Sequence, residues 1–205
     1  FDILDWGKQG VVADLNAIAA KDGWDKTVPA ALQKFSKFNG KWIAAPVNIH
    51  STNWIWANKE VLAKAGVSAE PKSFDEFIAA AEKVQKAGFI AIAHGGQPWQ
   101  EATVFDSVVL ATGGVDYYRK AFIELDTKAL NSPTTEKVFQ RMGQIRKLVD
   151  KDFSGRDWNV ASGMVISGKA GFQIMGDWAK GEFVNAKKVP GKDFLCWRFP
   201  GTQGN

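Results

Sequence analysis

The sequence predicts an α/β fold, and three segments carry that expectation. In SFDEFIAAAEKVQKAGFIAIAHGG, a helical pattern hands over at a glycine to a short apolar strand. In WNVASGMVISGKAGFQIMGDWAKGEF the pattern reads helix, strand, helix, and FLCWRFPG adds a final strand before a turn. Helices that alternate with short buried strands call for a sheet covered by helices.

The elements follow in order. FDILDWGKQG opens as a strand or turn. VVADLNAIAAKDGWDKTVPAALQKF reads as two short helices broken at Gly23 and Pro29, with Asp14 as N-cap of the first and Pro29 near the start of the second. Asn39-Gly40 marks a turn, residues 41–47 are strand-like, NIHSTN is polar, and WIW resumes the extended pattern. One extended segment interrupted by polar residues suits a strand crossing between two lobes. NKEVLAKAGV is a short helix ending at Gly66. In the clearest helix Ser73 is the cap and Glu76 completes a capping box. Phe74, Phe77, Ile78, Ala81 and Val84 form its apolar stripe, and Gly88 closes it. A helix entered through Pro98 follows, then a long one with Phe139, Met142, Ile145 and Leu148 on one face.

With 205 residues, the chain suits one large domain or two small ones. Its 45% hydrophobic and 23% charged composition is that of an ordinary globular protein able to bury a core without disulfides. Cys196, the single cysteine, excludes an internal disulfide, and its alternating strand context predicts burial. The net charge of +4 is dispersed, its densest stretch, NAKKVPGK, reads as a solvated loop, and no nucleic-acid partner is expected. No apolar run reaches membrane-spanning length, and no signal peptide is present in these residues. The chain starts without Met and stops in a turn, so it is expected to be an internal piece of a longer protein.

Phosphate-loop, dinucleotide, zincin, nucleophile-elbow and EF-hand patterns are absent, and His50 and His94 have no ligand-spaced partner. No cofactor, no metal and no catalytic residue are expected. What remains is nine Trp against two Tyr, and three polar-aromatic clusters: Asn48-Ile49-His50 with Asn53-Trp54; HGGQPWQ from His94 to Gln100; and Gly176-Asp177-Trp178. Each follows or interrupts an expected strand, where open α/β sheets bind ligands. An indole face can stack on the C–H face of a pyranose, while Asn, Gln, His and Asp offer the donors and acceptors its hydroxyls need.

NGKWIAAPVNIHSTNWIWANKEVLAKAGV, SFDEFIAAAEKV, HGGQPWQ, SGKAGFQIMGDWAKGEF and FPGTQG, in this order, resemble the periplasmic solute-binding proteins of ABC sugar importers. The resemblance is to the glucose/mannose-binding branch of Gram-negative bacteria and, more distantly, to maltose-binding protein. It implies a two-lobed, type II-like periplasmic binding protein fold, with parts of one lobe missing from this chain. Residues 1–46 would belong to the N-terminal lobe, 47–196 to the C-terminal lobe, and 197–205 would return towards the first, with hinge strands near 45–52 and 196–203. It implies a monomer that binds a monosaccharide, glucose foremost, in the inter-lobe cleft and delivers it to the membrane subunits of an ABC permease.

Carried over residue by residue, the resemblance makes Trp178 the stacking floor, or else a core residue. It places His50 at the cleft, or in hinge hydrogen bonds. Gln97 and Trp99 match sugar-contact positions, though Trp99 could instead start a helix and pack inward. Asp177 is a sugar acceptor or a cap for the following helix. His94 reads as structural. Two rival functions stay open: a carbohydrate-active enzyme using Asp177 or Glu182, and a carrier of a non-sugar solute. A zwitterion would want a paired Arg and acid, whereas the arginines are expected mostly on helices or loops away from the three clusters.

Overall fold

In the computed structural model, which describes residues 2–202, the chain separates at Ile49–His50 into two units, Phe1–Ile49 and His50–Asn205. The expected return segment and second hinge run into residues 203–205, which lie outside the described residues, as does Phe1.

The smaller unit holds helices α1 (Asp2–Lys8), α2 (Asn16–Lys21), α3 (Trp24–Thr27) and α4 (Ala30–Ser36), with a hairpin of β1 (Lys37–Phe38) and β2 (Lys41–Trp42). The opening stretch is therefore a helix rather than a strand or turn, with acids in its first turn and Lys8 in its last, as the helix dipole favours. The strand expected over 41–47 is cut to two residues. Trp42 is its anchor: 2% exposed, edge-on to Trp24 at 5.4 Å, its indole N–H donating to Asp25 at 3.2 Å. Asp14 does accept a backbone N–H, from Asn16 at 2.8 Å, one residue ahead of the cap position held by Leu15.

The larger unit is built on a mixed sheet of β3 (Trp54–Asn58), β4 (Ile90–Ile92), β5 (Ala170–Ile174) and β6 (Phe194–Arg198), in the order β4-β5-β3-β6. β3 runs antiparallel to both neighbours, pairing Ile55 with Ile174 and with Trp197, while β4 and β5 are parallel. Alternation on β3 sorts its side chains between two layers. Ile55 and Ala57 join Phe172 and Ile174 under α6 (Phe74–Lys86), α7 (Pro98–Tyr118) and α9 (Pro133–Leu148). Trp56 and Met175 face α10 (Trp158–Ile166) and α11 (Lys180–Asn185) with Phe183 and Phe194. α5 (Lys59–Lys64), capped by Asn58, follows β3 directly and buries Val61 and Leu62 in the first of these layers, and α8 (Thr127–Leu130) precedes α9.

The capping logic of α6 holds with one shift. Ser73 accepts the Glu76 N–H at 3.2 Å, but the Glu76 carboxylate reaches back to the Lys72 N–H at 2.7 Å rather than to the cap itself. All five stripe residues are buried. On α9, Val138, Ile145 and Leu148 are buried, whereas Phe139 is 61% exposed and rests its ring against Phe105 at 5.7 Å. α7 runs past its expected end at the Gly pair to Tyr118, with a break at Gly114. Cys196 is exposed, not buried, because β6 is the edge strand. Among the described residues, no helix is long and apolar enough to cross a membrane.

Candidate functional site

The sheet brings the three polar-aromatic clusters together. β3 and β5 are antiparallel, so the segment entering β3 lies beside the segment leaving β5. There the main chain closes a turn-like contact, the Asp177 N–H donating to Ser51 O at 2.9 Å. The Asp177 carboxylate accepts the Ser51 N–H at 3.0 Å and lies 2.6 Å from His50 Nδ1. Burial would raise its carboxyl, but the Ser51 N–H and the His50 ring outweigh burial and hold it below the ordinary carboxylate value. Asp177 is thus spent on the His50–Ser51 segment and caps neither the 3₁₀ turn Asp177–Ala179 nor α11.

Trp178 is half-buried. Its indole lies over Gly176, where a Cβ would come within 2.1 Å of the ring. His50 stands edge-on to the indole at 5.2 Å, and Trp99 lies across from it at 6.1 Å and a 50° tilt. Trp99 begins α7 right after Pro98, but it does not pack inward: it is 42% exposed, and its indole N–H donates to Gln97 at 2.9 Å. The Gln97 oxygen also accepts from Gln100 at 2.9 Å, and its amide nitrogen donates to Asp157 at 2.6 Å. One Gln97 N–H and the ring faces of Trp99 are what these two residues have left to offer.

Gln100, 0% exposed, reaches from Gln97 to the Arg156 carbonyl at 3.0 Å. Arg156 forks onto Asp150, at 2.8 Å for one arm, and donates to the His94 carbonyl at 3.1 Å. The 153–155 turn presses so closely on Gly96 that a Cβ there would sit 2.6 Å from the Phe153 oxygen. His94 is 5% exposed, stacked on Phe153 at 5.9 Å, and burial pushes its ring pKa down. Its Nε2 is 3.2 Å from Glu101 but out of hydrogen-bond alignment.

Beside His50 a polar hollow of about 540 Å³ opens, lined among others by Asn53, Asp106, Tyr118, Arg198 and Thr202. Arg198, expected in the final strand and found there, is the residue whose part in this hollow the sequence does not show. Its guanidinium stacks on Trp54 at 4.0 Å and donates to Ser51 and Asn53, inside the first cluster. Asp106 accepts from Tyr118 at 3.1 Å; burial raises its carboxyl and, together with that carboxylate, pushes the Tyr118 phenol up to about 12. Asp106 and Tyr118 are carried by α7 and line the hollow, and nothing in their local sequence marks them. Among the described residues, no group of three or more His, Cys, Asp or Glu is placed to hold a metal ion.

Comparison with known proteins adds a frame. The family model for bacterial extracellular solute-binding proteins matches residues 1–202. A "Probable sugar-binding periplasmic protein" of Rhizobium meliloti (strain 1021) is 61% identical over 205 residues, which is 100% of this chain and 49% of that protein. The chain spans about half the length of the curated relatives it matches. Among solved structures, a chitin oligosaccharide binding protein shares the fold at a TM-score of 0.78 and 22% identity, over 98% of this chain and 50% of that one. The bacterial solute receptor AcbH, described as preferring β-D-galactopyranose, follows at 0.65 and 25% identity, over 98% and 50%.

Proposed function

The chain belongs to the bacterial extracellular solute-binding protein family, and on that premise we propose that it is the sugar-holding part of a periplasmic carrier that serves an ABC importer. It captures a monosaccharide, glucose foremost and within the glucose/mannose branch, without altering it, and hands it to the membrane subunits of the permease. The sugar-binding description of the Rhizobium meliloti relative supports this class of ligand.

One observation carries the reading: residues far apart in sequence converge on a single aromatic corner edged with hydrogen-bonding groups. Trp178 is the floor for a pyranose face and Trp99 extends it. His50 and the remaining Gln97 N–H meet hydroxyls, and the Asp177 carboxylate belongs to the site through its hold on His50. Hinge bending near 45–52 and 196–203 encloses the ligand, and the carrier works as a monomer. Deleting a half-exposed stacking ring removes ligand contact with little loss of core packing, so Trp178→Ala in the full-length protein abolishes measurable glucose binding by calorimetry while the melting temperature moves little. A large drop in melting temperature with unchanged affinity would mean that the ring belongs to the core and not to the ligand.

A second reading has one observation in its favour. Arg198 and Asp106 line the same hollow, the pairing a zwitterionic solute would use. A thermal-shift screen of sugars against amino acids separates the two, because stabilisation grows with the logarithm of ligand concentration over Kd.

A further inference from the structure

Asp177 spends both carboxylate oxygens on one short segment. Oδ1 faces His50 Nδ1 at 2.6 Å and Oδ2 accepts the Ser51 N–H at 3.0 Å, while the Asp177 N–H returns a bond to Ser51 O at 2.9 Å. The imidazole is held on a second side by the Trp178 ring, which it meets edge-on at an 85° interplanar angle. An ionised carboxylate only accepts hydrogen bonds. A neutral imidazole facing it therefore carries its proton on Nδ1, which leaves Nε2 as a bare acceptor.

We propose that Asp177 is a positioning residue that locks His50 in the Nδ1–H tautomer, so that the site presents Nε2 as an acceptor and selects ligands that offer an O–H donor at that point. A ligand group that can only accept, such as an ether oxygen, a fluorine or a carboxylate, meets a lone pair there and is rejected. The choice of sugar hydroxyls as the donor rests on the sugar-carrier reading; the tautomer does not.

Replacing Asp177 by Asn inverts the arrangement. The amide has one accepting oxygen and one donating nitrogen. The Ser51 N–H claims the oxygen, so the NH₂ faces Nδ1 and the ring is driven to the Nε2–H form. The site then offers a donor: a hydroxyl can turn and accept from it, but so can a fluorine or an ether oxygen, and the discrimination against acceptor-only groups is lost.

Two measurements on the full-length protein test this. The first is long-range nitrogen–proton NMR of the histidine rings at alkaline pH, with His50 assigned by loss of its signals in His50→Gln. The wild type shows protonated Nδ1 and bare Nε2, and D177N shows the reverse. The second is a titration with D-glucose and its monodeoxy and monofluoro analogues. Wild type binds the fluoro analogue altered at one particular hydroxyl about tenfold or more weakly than glucose, and in D177N that gap closes. A wild-type ring protonated at Nε2 overturns the proposal, and so does a D177N protein that keeps both the wild-type tautomer and the wild-type discrimination between glucose and that analogue. The wild-type spectrum needs no variant to fold. If glucose and its analogues do not bind the wild type, the sugar reading falls while the NMR result still decides the role of Asp177.

Discussion

Gly176→Ala isolates the indole of Trp178 without deleting it. Gly176 sits at φ −64° and ψ 172°, a backbone conformation open to alanine, so the added methyl strains no main-chain torsion. It does collide with the ring: Cβ would lie 2.1 Å from Cζ3, 2.3 Å from Cη2 and 2.5 Å from Cε3. Ordinary carbon contact is about 3.5–4.0 Å, so the indole must swing out by roughly 1.5 Å. Fold and chemistry stay the same, and only the position of the stacking face changes. The lost stacking is about 0.5–1.5 kcal/mol, the contribution of aromatic pairing beyond area burial; that is roughly a 2- to 13-fold rise in Kd. The assay is a glucose titration of the full-length variant by calorimetry, with near-UV circular dichroism to register the ring movement and urea unfolding to monitor stability. A changed aromatic spectrum with an unchanged Kd would refute the placing of the sugar on this ring.

Two predictions concern stability. Phe172 is 0% exposed in the middle of β5, edge-on to Phe77 at 5.3 Å and near Trp197 at 6.5 Å, so Phe172→Ala leaves a cavity and costs about 3–5 kcal/mol in urea unfolding. The Asp150–Arg156 pair is 15% and 12% exposed, and Arg156→Met strands the carboxylate and the His94 carbonyl, costing about 3 kcal/mol. The same pair sets an acid limit. The Arg156 hydrogen bond holds the Asp150 carboxyl below its ordinary value of 3.8 against the opposing effect of burial. Its contribution is therefore complete above about pH 3.8 and is lost as pH falls through the folded-state value, and Asp150→Asn flattens that limb of the stability–pH curve.

Local signals were legible where they act locally. The helix beginning after Ser73 declares itself through its cap and stripe, and β4 and β5 through short apolar runs ended by glycine. Asp2–Lys8 is too short to show a helical period, so it reads as a strand or turn. Phe139 lies at helical spacing with Met142, but its face of α9 looks outward, and only the packing partners decide that. Cys196 reads as buried because alternation says nothing about whether a strand is at the edge of its sheet. The five candidate residues were legible as types in suggestive contexts. The pairing of His50 with Asp177, 127 positions apart, exists only because β3 runs antiparallel to β5. Arg198 escapes the sequence for the same reason: its place beside Ser51 and Asn53 follows from the register that pairs it with Trp54.

The strand order has a consequence in time. β3, carrying Trp54-Ile55-Trp56, leaves the ribosome long before either strand it pairs with: β5 begins at Ala170 and β6 at Phe194. Until both have been synthesised, this apolar segment keeps two unsatisfied hydrogen-bonding edges, the condition most prone to wrong partners. The nascent chain cannot commit early. Its central strand is completed last, and until then its tryptophans stay open to mispairing.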